Sequence, residues 1–178
     1  MTPRNKFIRW YIRPFNRLKK IKNGDGAYIA LSMALFLCER YYRIKSNTTK
    51  VNDSAPFLDA AARDFDCSLD LFKKFWNIFR HGIQHQGSPN NEIRAVWLPS
   101  KPVIQTKWAI GGDLPFHPCY VETDSIRRVG IDPWKFADFV LKKFLTDSNA
   151  LADVSANDFG DELAQPASIP IIIIERYI

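Results

Sequence analysis

Apolar positions recur at helical spacing in several segments of this chain. An apolar residue at every third or fourth position places a continuous stripe on one side of an α-helix. We therefore predict helices over residues 27–45, 57–65, 68–87 and 132–145. The first three turns of the 27–45 segment are apolar on every side, which predicts a centrally buried helix.

The 68–87 segment is strongly amphipathic and carries the most unusual polar face. Its apolar arc consists of Leu71, Phe72, Phe75, Trp76, Phe79 and Ile83. Its polar arc consists of Arg80, Lys73, Gln84, Asn77, His81, Lys74 and His85. Ser68 is the predicted N-cap, and Gly87 before Ser-Pro is the predicted stop. The polar arc is a candidate site because it collects an arginine and two of the three histidines near one helix end.

After residue 87 the pattern changes to short apolar runs that Pro and Gly interrupt. Residues 92–98, 103–108 and 118–122 read as strands. They predict a small antiparallel β-meander, inserted between helices over about residues 92–122, with Gly111-Gly112-Asp113 as a hairpin turn.

The last part of the chain reads differently again. Residues 146–168 are acidic and rich in small residues, which predicts a loop or flexible linker. The isoleucine run 171–174 predicts a closing strand that needs cover on both faces, from the meander or from a partner chain.

These elements predict a mainly α (α+β) fold. We expect a helical domain over residues 1–145, with a basic N-terminal arm and the β insertion, followed by an acidic linker and C-terminal strand over residues 146–178. At 178 residues, 46% of them hydrophobic, the chain is long enough to bury a core.

Charge and cysteine content narrow the functional classes. A formal net charge of +6 mildly favours an anionic partner such as nucleic acid. Three cysteines without paired spacing argue against a disulfide framework and favour a reducing compartment. The sequence shows no signal-peptide pattern, and its longest apolar run, residues 27–38, is too short to span a bilayer. We therefore expect a cytoplasmic protein without a transmembrane segment.

The basic N-terminal arm, residues 4–22, interleaves basic side chains with aromatic and aliphatic ones. Three interpretations remain open. The arm could grip a phosphate backbone and stack on bases, or lie on an anionic membrane. It could also pack its apolar side on the body while its charges are solvated. Pro14 marks a break or a helix start within it.

The run Arg80-His81-Gly82-Ile83-Gln84-His85 carries a recognisable spacing. It resembles the R-x4-6-H motif of HEPN domains, a helical superfamily that contains many metal-independent ribonucleases of toxin, antiphage and RNA-processing systems. The second motif position in that family is commonly Asn, Asp or His, and His81 fits. The resemblance covers about residues 25–145.

The resemblance implies a HEPN-like helical bundle acting as a metal-independent endoribonuclease without a cofactor. It implies that Arg80 binds the scissile phosphate, that His85 handles the proton and that His81 assists in positioning. These residue types suit the reaction, because histidine titrates near neutral pH and the planar guanidinium can bind two phosphate oxygens at once. RNA is the implied substrate, and an antitoxin or sensor protein of a toxin–antitoxin or antiviral system is a further implied partner.

The geometry of the helix bears on how such a site would be completed. Arg80 and His85 are separated by about 140° on an ideal helix, so they edge the same polar face without pointing the same way. HEPN ribonucleases typically pair two such helices across a two-fold axis, which implies a homodimer through the Arg80–His85 helix.

Several further residues are expected to contribute to substrate binding. Lys73, Asn77 and Gln84 share the polar face of that helix. Glu39 lies at the end of the buried run of the 27–45 helix, where an unpaired carboxylate would destabilise the fold. Its candidate partners are Arg40, Arg43 and Arg80.

Other readings of the same residues remain open. His81 and His85 have the spacing of zinc ligands, and His117 and Cys119 could add to them. However, no Glu follows the first His and no Cys-x-x-Cys is present, so we predict no metal site. Arg80 and the two histidines could instead cap helix carbonyls. The main functional alternative is a non-catalytic HEPN module that binds RNA, nucleotide or a protein partner.

Overall fold

The structure is a computed structural model that describes residues 1–48, 55–83, 88–89, 107–123 and 126–158. These residues form mainly helices together with a small three-stranded sheet. The predicted mainly α (α+β) class is confirmed.

The elements have the following bounds. The helices are α1 (Pro3–Phe7), α2 (Arg13–Leu18), α3 (Ala27–Lys45), α4 (Ala55–Asp64), α5 (Leu69–Phe75), α6 (Pro133–Thr146) and α7 (Ser148–Asp158). Two π-helical segments, π1 (Ile8–Ile12) and π2 (Trp76–His81), follow α1 and α5, and a 3₁₀ turn spans Lys22–Gly24. The strands are β1 (Lys107–Ile110), β2 (Cys119–Thr123) and β3 (Ile126–Ile131).

Aromatic rings fill the centre of the core. Helix α3 packs against α6 and α4, and α7 packs against α1. Phe65, which follows α4, stacks on Phe136 of α6 at 5.2 Å between ring centroids. It also lies 5.5 Å from Phe72 of α5, so one ring joins three helical segments.

The N-terminal arm is part of this body. Phe7 and Phe15 are fully buried, with Phe7 stacked on Phe144 at 5.1 Å and Phe15 lying 5.7 Å from Trp134. The structure therefore has the packed arrangement, in which the apolar side of the arm faces the core. Pro14 lies in the first turn of α2, directly after π1. Because proline lacks an N–H and clashes with the carbonyl four residues earlier, the wider π turn accommodates it.

The small sheet is mixed, so the predicted antiparallel meander is wrong. Its strand order is β1-β3-β2, with β1 parallel and β2 antiparallel to β3. Strand β3 was missed because two arginines and a glycine interrupt its apolar residues. The segment Gly111-Gly112-Asp113 is not a hairpin turn, because the connection leads from β1 to the opposite edge of the sheet. The predicted strand 92–98 lies outside the described residues.

Residues 148–158 form helix α7, so the predicted linker is wrong over this range. Asp147 caps the helix, accepting hydrogen bonds from the backbone N–H groups of Asn149 at 3.0 Å and Ala150 at 3.1 Å. Ala150, Leu151 and Val154 are buried in the core. The rest of the predicted linker and the 171–174 strand lie outside the described residues.

Helix α3 has the predicted bounds but is not buried on every side. Tyr28, Ile29 and Phe36 are 39%, 58% and 47% exposed. The predicted burial on every side is therefore wrong for this side of α3, which Arg80 at the Phe36 ring and Trp108 at the Tyr28 ring cover only in part.

Ser68 caps α5 as predicted, with its Oγ accepting from the backbone N–H of Leu71 at 3.2 Å. We expect Ser68→Ala to lower the free energy of unfolding by about 1 kcal/mol, since it leaves a helical N–H without its acceptor. Urea denaturation measures the change. Ser148→Ala, at an exposed position that starts α7, is the matched control, and an equal loss in both variants would contradict the cap.

Candidate functional site

The π2 segment determines where Arg80 points. Its i→i+5 hydrogen bonds widen the turn, so each residue rotates by less than it does in an α-helix. Arg80 is thereby turned back toward the apolar side, and its side chain is only 12% exposed. Arg80, a member of the predicted polar arc, is therefore largely covered by Glu39 and Phe36 of α3. Such π segments occur frequently at functional sites.

Glu39 of α3 holds Arg80 in place. Its Oε2 accepts from Nε of Arg80 at 3.0 Å and lies 2.8 Å from Nη2. Its Oε1 accepts from Nε of Arg43 at 3.0 Å. Two of the three partners considered for Glu39 therefore bind it together, one on each carboxylate oxygen. The third, Arg40, pairs instead with Asp153 of α7 at 2.9 Å.

Aromatic rings support both arginines that bind Glu39. The Cζ of Arg80 lies 4.7 Å from the Phe36 ring centroid, and that of Arg43 lies 4.6 Å from the Phe57 centroid. These are cation–π distances. The Nη1 of Arg80 is buried and has no hydrogen-bond partner within the part of the chain that the structure describes. One guanidinium nitrogen is thus left to donate to a further acceptor.

An open cleft of about 530 Å³ adjoins this cluster. Its charged lining consists of Glu39, Arg40, Arg43, Arg80 and Asp153, and Asn47 and Thr48 add polar groups. Three arginines face two carboxylates, so the lining has an excess of positive charge. The arrangement suits an anionic ligand that presents oxygen acceptors.

The other predicted site residues fall into two groups. Lys73, Asn77 and His81 are exposed, at intervals of four residues along the same helix. Gln84 and His85 lie outside the described residues. The structure therefore brings Arg80 and Glu39 together and leaves Lys73, Asn77 and His81 on the outer face.

Among the described residues, Asp153 is the charged cleft residue that the sequence did not suggest. It falls in the segment expected to be a linker, and only its position on a packed helix brings it to Arg40. A signal was present in the Asp147-Ser-Asn-Ala150 sequence, which is a helix start with an acidic N-cap. Arg40 and Arg43 lie at the polar end of α3 close to Glu39, and this proximity in the sequence predicts them as candidate partners of its carboxylate.

Cys38, next to Glu39, is not an activated nucleophile. Burial, together with the negative charges of Glu39 and Asp64, raises the pKa of its thiol well above the ordinary value. The thiol therefore stays protonated at neutral pH, whereas a reactive cysteine needs a lowered pKa.

The alternative zinc ligands do not assemble in the part of the chain described here. Among these residues, no group of three or more His, Cys, Asp or Glu side chains is arranged to hold a metal ion. His117 contacts the carbonyl oxygen of Pro118 through Nδ1 at 3.2 Å, and Cys119 Sγ donates to the carbonyl oxygen of Gly130 at 3.6 Å.

A second cationic cluster lies beside strand β2. Lys74 pairs with Asp70 at 2.8 Å and donates to the Tyr120 hydroxyl at 3.2 Å. These two hydrogen bonds raise the pKa of the Lys74 ammonium group. The Cζ of Arg127 lies 3.6 Å from the Tyr120 ring centroid. The cluster ties α5 to the sheet, so we assign it a structural role.

Within the described ranges, no helix combines the length and the apolar character needed to cross a membrane. Comparison with protein-family models, with curated proteins and with solved structures finds no match for this chain.

Proposed function

We propose that this protein is a metal-independent endoribonuclease of HEPN type. Arg80 binds the scissile phosphate, His85 transfers protons, and His81 assists in positioning. The observation that carries the proposal is the state of Arg80, which Glu39 fixes at the wall of an open cleft while its Nη1 has no hydrogen-bond partner within the described residues.

The arginine cluster supports a phosphate ligand. Glu39 engages the Nε and Nη2 of Arg80, so Nη1 is the nitrogen that remains to donate to a phosphate oxygen. Such charge-assisted hydrogen bonds are stronger than neutral ones. Arg40 and Arg43 on the same wall raise the local positive potential, which favours the approach of a polyanion. Since both oxygens of Glu39 are engaged by arginines, its role is to position Arg80.

The proposal includes a homodimer through the helix that carries Arg80 and His85. Lys73, Asn77 and His81 form an exposed polar line on this helix, which a second copy could meet across a two-fold axis. Both sets of histidines and arginines would then border one shared RNA-binding channel. A role as a toxin or antiviral effector, with an antitoxin or sensor as partner, rests on the motif resemblance.

A non-catalytic module that binds RNA, nucleotide or a protein partner is the second candidate. The observation that favours it is the double ion pair of Glu39, which neutralises part of the positive charge of Arg80 and Arg43. The cleft would then bind an anionic ligand without turnover.

We expect the wild-type protein to cleave single-stranded RNA in buffer that contains a metal chelator. His85→Ala should reduce the cleavage rate by about 10²- to 10⁴-fold, because it removes a general acid–base group. Arg80→Ala should reduce the rate at least as much, and Arg80→Lys should remain impaired because lysine lacks the planar fork. Gel analysis of end-labelled RNA measures the rates.

Two control substitutions accompany these variants. Lys142→Ala removes an exposed cation from α6, and His117→Ala removes the remaining histidine; both should cleave at the wild-type rate. Circular dichroism verifies that each variant is folded. Undiminished cleavage by folded Arg80→Ala contradicts the proposal. RNA binding without cleavage by the wild type supports the non-catalytic module instead.

A further inference from the structure

An apolar groove lies on the uncovered side of α3. It is lined by Tyr28, Ile29, Ser32, Met33, Phe36 and Ile83, and its volume is about 430 Å³. Ile29 and Phe36 are among the most exposed apolar side chains of the described residues, at 58% and 47%. A contiguous exposed apolar surface of this kind marks a binding site. We call it the α3 groove.

The α3 groove and the cationic cleft are two halves of one surface. Phe36 lines both of them. The apolar half lies along the first turns of α3, from Tyr28 to Phe36, and the cationic half follows at Arg40 and Arg43. Ile29 and Arg43 are about 21 Å apart along the helix axis, at 1.5 Å per residue. The surface therefore changes from apolar to cationic over this length.

Residues 159–178 contain acidic residues, which complement the cationic cleft, and then apolar residues, which complement the α3 groove. This order matches a path that starts at the cleft. Asp161 and Glu162 come first, and the isoleucine run 171–174 follows. The segment starts directly after α7, whose Asp153 is ion-paired with Arg40 in the cleft. Asp158, the last residue of α7, is about 7.5 Å beyond Asp153 along the helix axis. The chain therefore leaves α7 near the cationic half of the surface.

The length of the segment is sufficient for it to follow α3. Twenty residues reach at most about 66 Å when fully extended, well beyond the length of the combined surface. The acidic residues come early enough to meet Arg40 and Arg43, and the isoleucines follow at a separation that reaches Ile29. Such a path would bring opposite charges together at one end and apolar side chains together at the other.

We propose that residues 159–178 lie along α3, with Asp161 and Glu162 over the cationic cleft and the isoleucine run 171–174 in the α3 groove. This placement does not depend on the ribonuclease proposal. It gives the four isoleucines an apolar surface to cover, and it places carboxylates where an anionic ligand would enter.

Photo-crosslinking in the full chain tests this placement. Phe36 is replaced by p-benzoylphenylalanine, which reacts with C–H bonds within its reach, and the crosslinked peptides are identified by mass spectrometry. Mixing isotope-labelled with unlabelled chains separates crosslinks within one chain from those between two. The same group at Trp10, an aromatic position 46% exposed on the N-terminal arm, is the matched control.

We expect crosslinks within one chain from position 36 to residues 168–177, and none to this segment from position 10. Asp161→Lys combined with Glu162→Lys should lower the yield at position 36 several-fold, because lysines face the arginines of the cleft. Ile29→Lys should also lower the crosslinking yield at position 36, because Ile29 lines the α3 groove. Ile21→Lys, at an exposed position outside the groove, should leave the yield unchanged. Crosslinks to residues 90–106, crosslinks between two chains, or the absence of crosslinks to 168–177 would each overturn the proposal.

Discussion

We expect Glu39→Ala to lower the free energy of unfolding by about 3 kcal/mol, because removing one partner of a largely buried ion pair leaves the other charge without compensation. Glu39 binds Arg80 at 2.8 Å and Arg43 at 3.0 Å, so both guanidinium groups lose their acceptor. Arg80 is only 12% exposed and is poorly placed to recover its hydrogen bonds from water. Urea denaturation measures the loss from the transition midpoint.

A double variant separates the interaction from the simple loss of side chains. Glu39→Ala combined with Arg80→Met should lose less than the sum of the two single variants, since it no longer leaves a buried charge unpaired. The exposed pair Lys19–Asp138 is the control, with side chains 37% and 55% exposed. Asp138→Ala should cost less than about 1 kcal/mol. If Glu39→Ala costs no more than this, Glu39 does not hold Arg80 in place.

The Glu39–Arg80 pair shows which features of the site could be predicted from the sequence. A carboxylate at the end of a buried helical run needs a partner, and this requirement identifies Arg40, Arg43 and Arg80 as candidates for Glu39. Arg43 and Arg80 bind it, whereas Arg40 pairs with Asp153. The helical wheel that places Arg80 on the polar arc assumes an α-helix throughout, so it did not predict how far this side chain is buried against α3. The π turn at Trp76–His81 rotates Arg80 inward, and the sequence of this segment contains no signal that predicts a π turn.

Local periodicity predicted the long helices well and the sheet poorly. The bounds of α3 and α6 follow from apolar spacing and from the Asp132-Pro133 start, where Asp132 accepts from the backbone N–H of Trp134 at 2.8 Å. Strand β3 depends on neighbours at both edges, and its own sequence, Ile-Arg-Arg-Val-Gly-Ile, gives a weak pattern. Its Gly130 is required by packing, because a Cβ there would lie 2.8 Å from Val121 Cγ2.

Helix α7 shows why composition misled where spacing would have helped. Its acidic and small residues resemble a linker, but Ala150, Leu151 and Val154 lie on one face and are buried. A carboxylate cap at Asp147 then fixes the start of the helix. Burial by itself raises the pKa of Asp147, yet the hydrogen bonds from the Ala150 N–H and from Lys45 bring that pKa below its usual value. The acidic residue that suggested a linker is therefore a structural cap.

Phe65→Ala should strongly destabilise the protein. Phe65 is fully buried, and its ring lies 4.8 Å from Phe139, 5.2 Å from Phe136 and 5.5 Å from Phe72 between centroids. Its removal leaves a cavity where α4, α5 and α6 meet. We expect a loss of about 4 kcal/mol and a melting temperature lower by about 10 °C. Calorimetry measures both.

An exposed aromatic residue is the control for Phe65. The expected loss of unfolding free energy arises from the buried cavity, so deleting an exposed ring should cost much less. Trp10→Ala removes a larger ring that is 46% exposed, and it should change the unfolding free energy by less than about 1 kcal/mol. Phe65→Leu refills most of the space and should lose about half as much as Phe65→Ala. Equal losses in Phe65→Ala and Trp10→Ala would mean that the junction of the three helices relaxes around the missing ring.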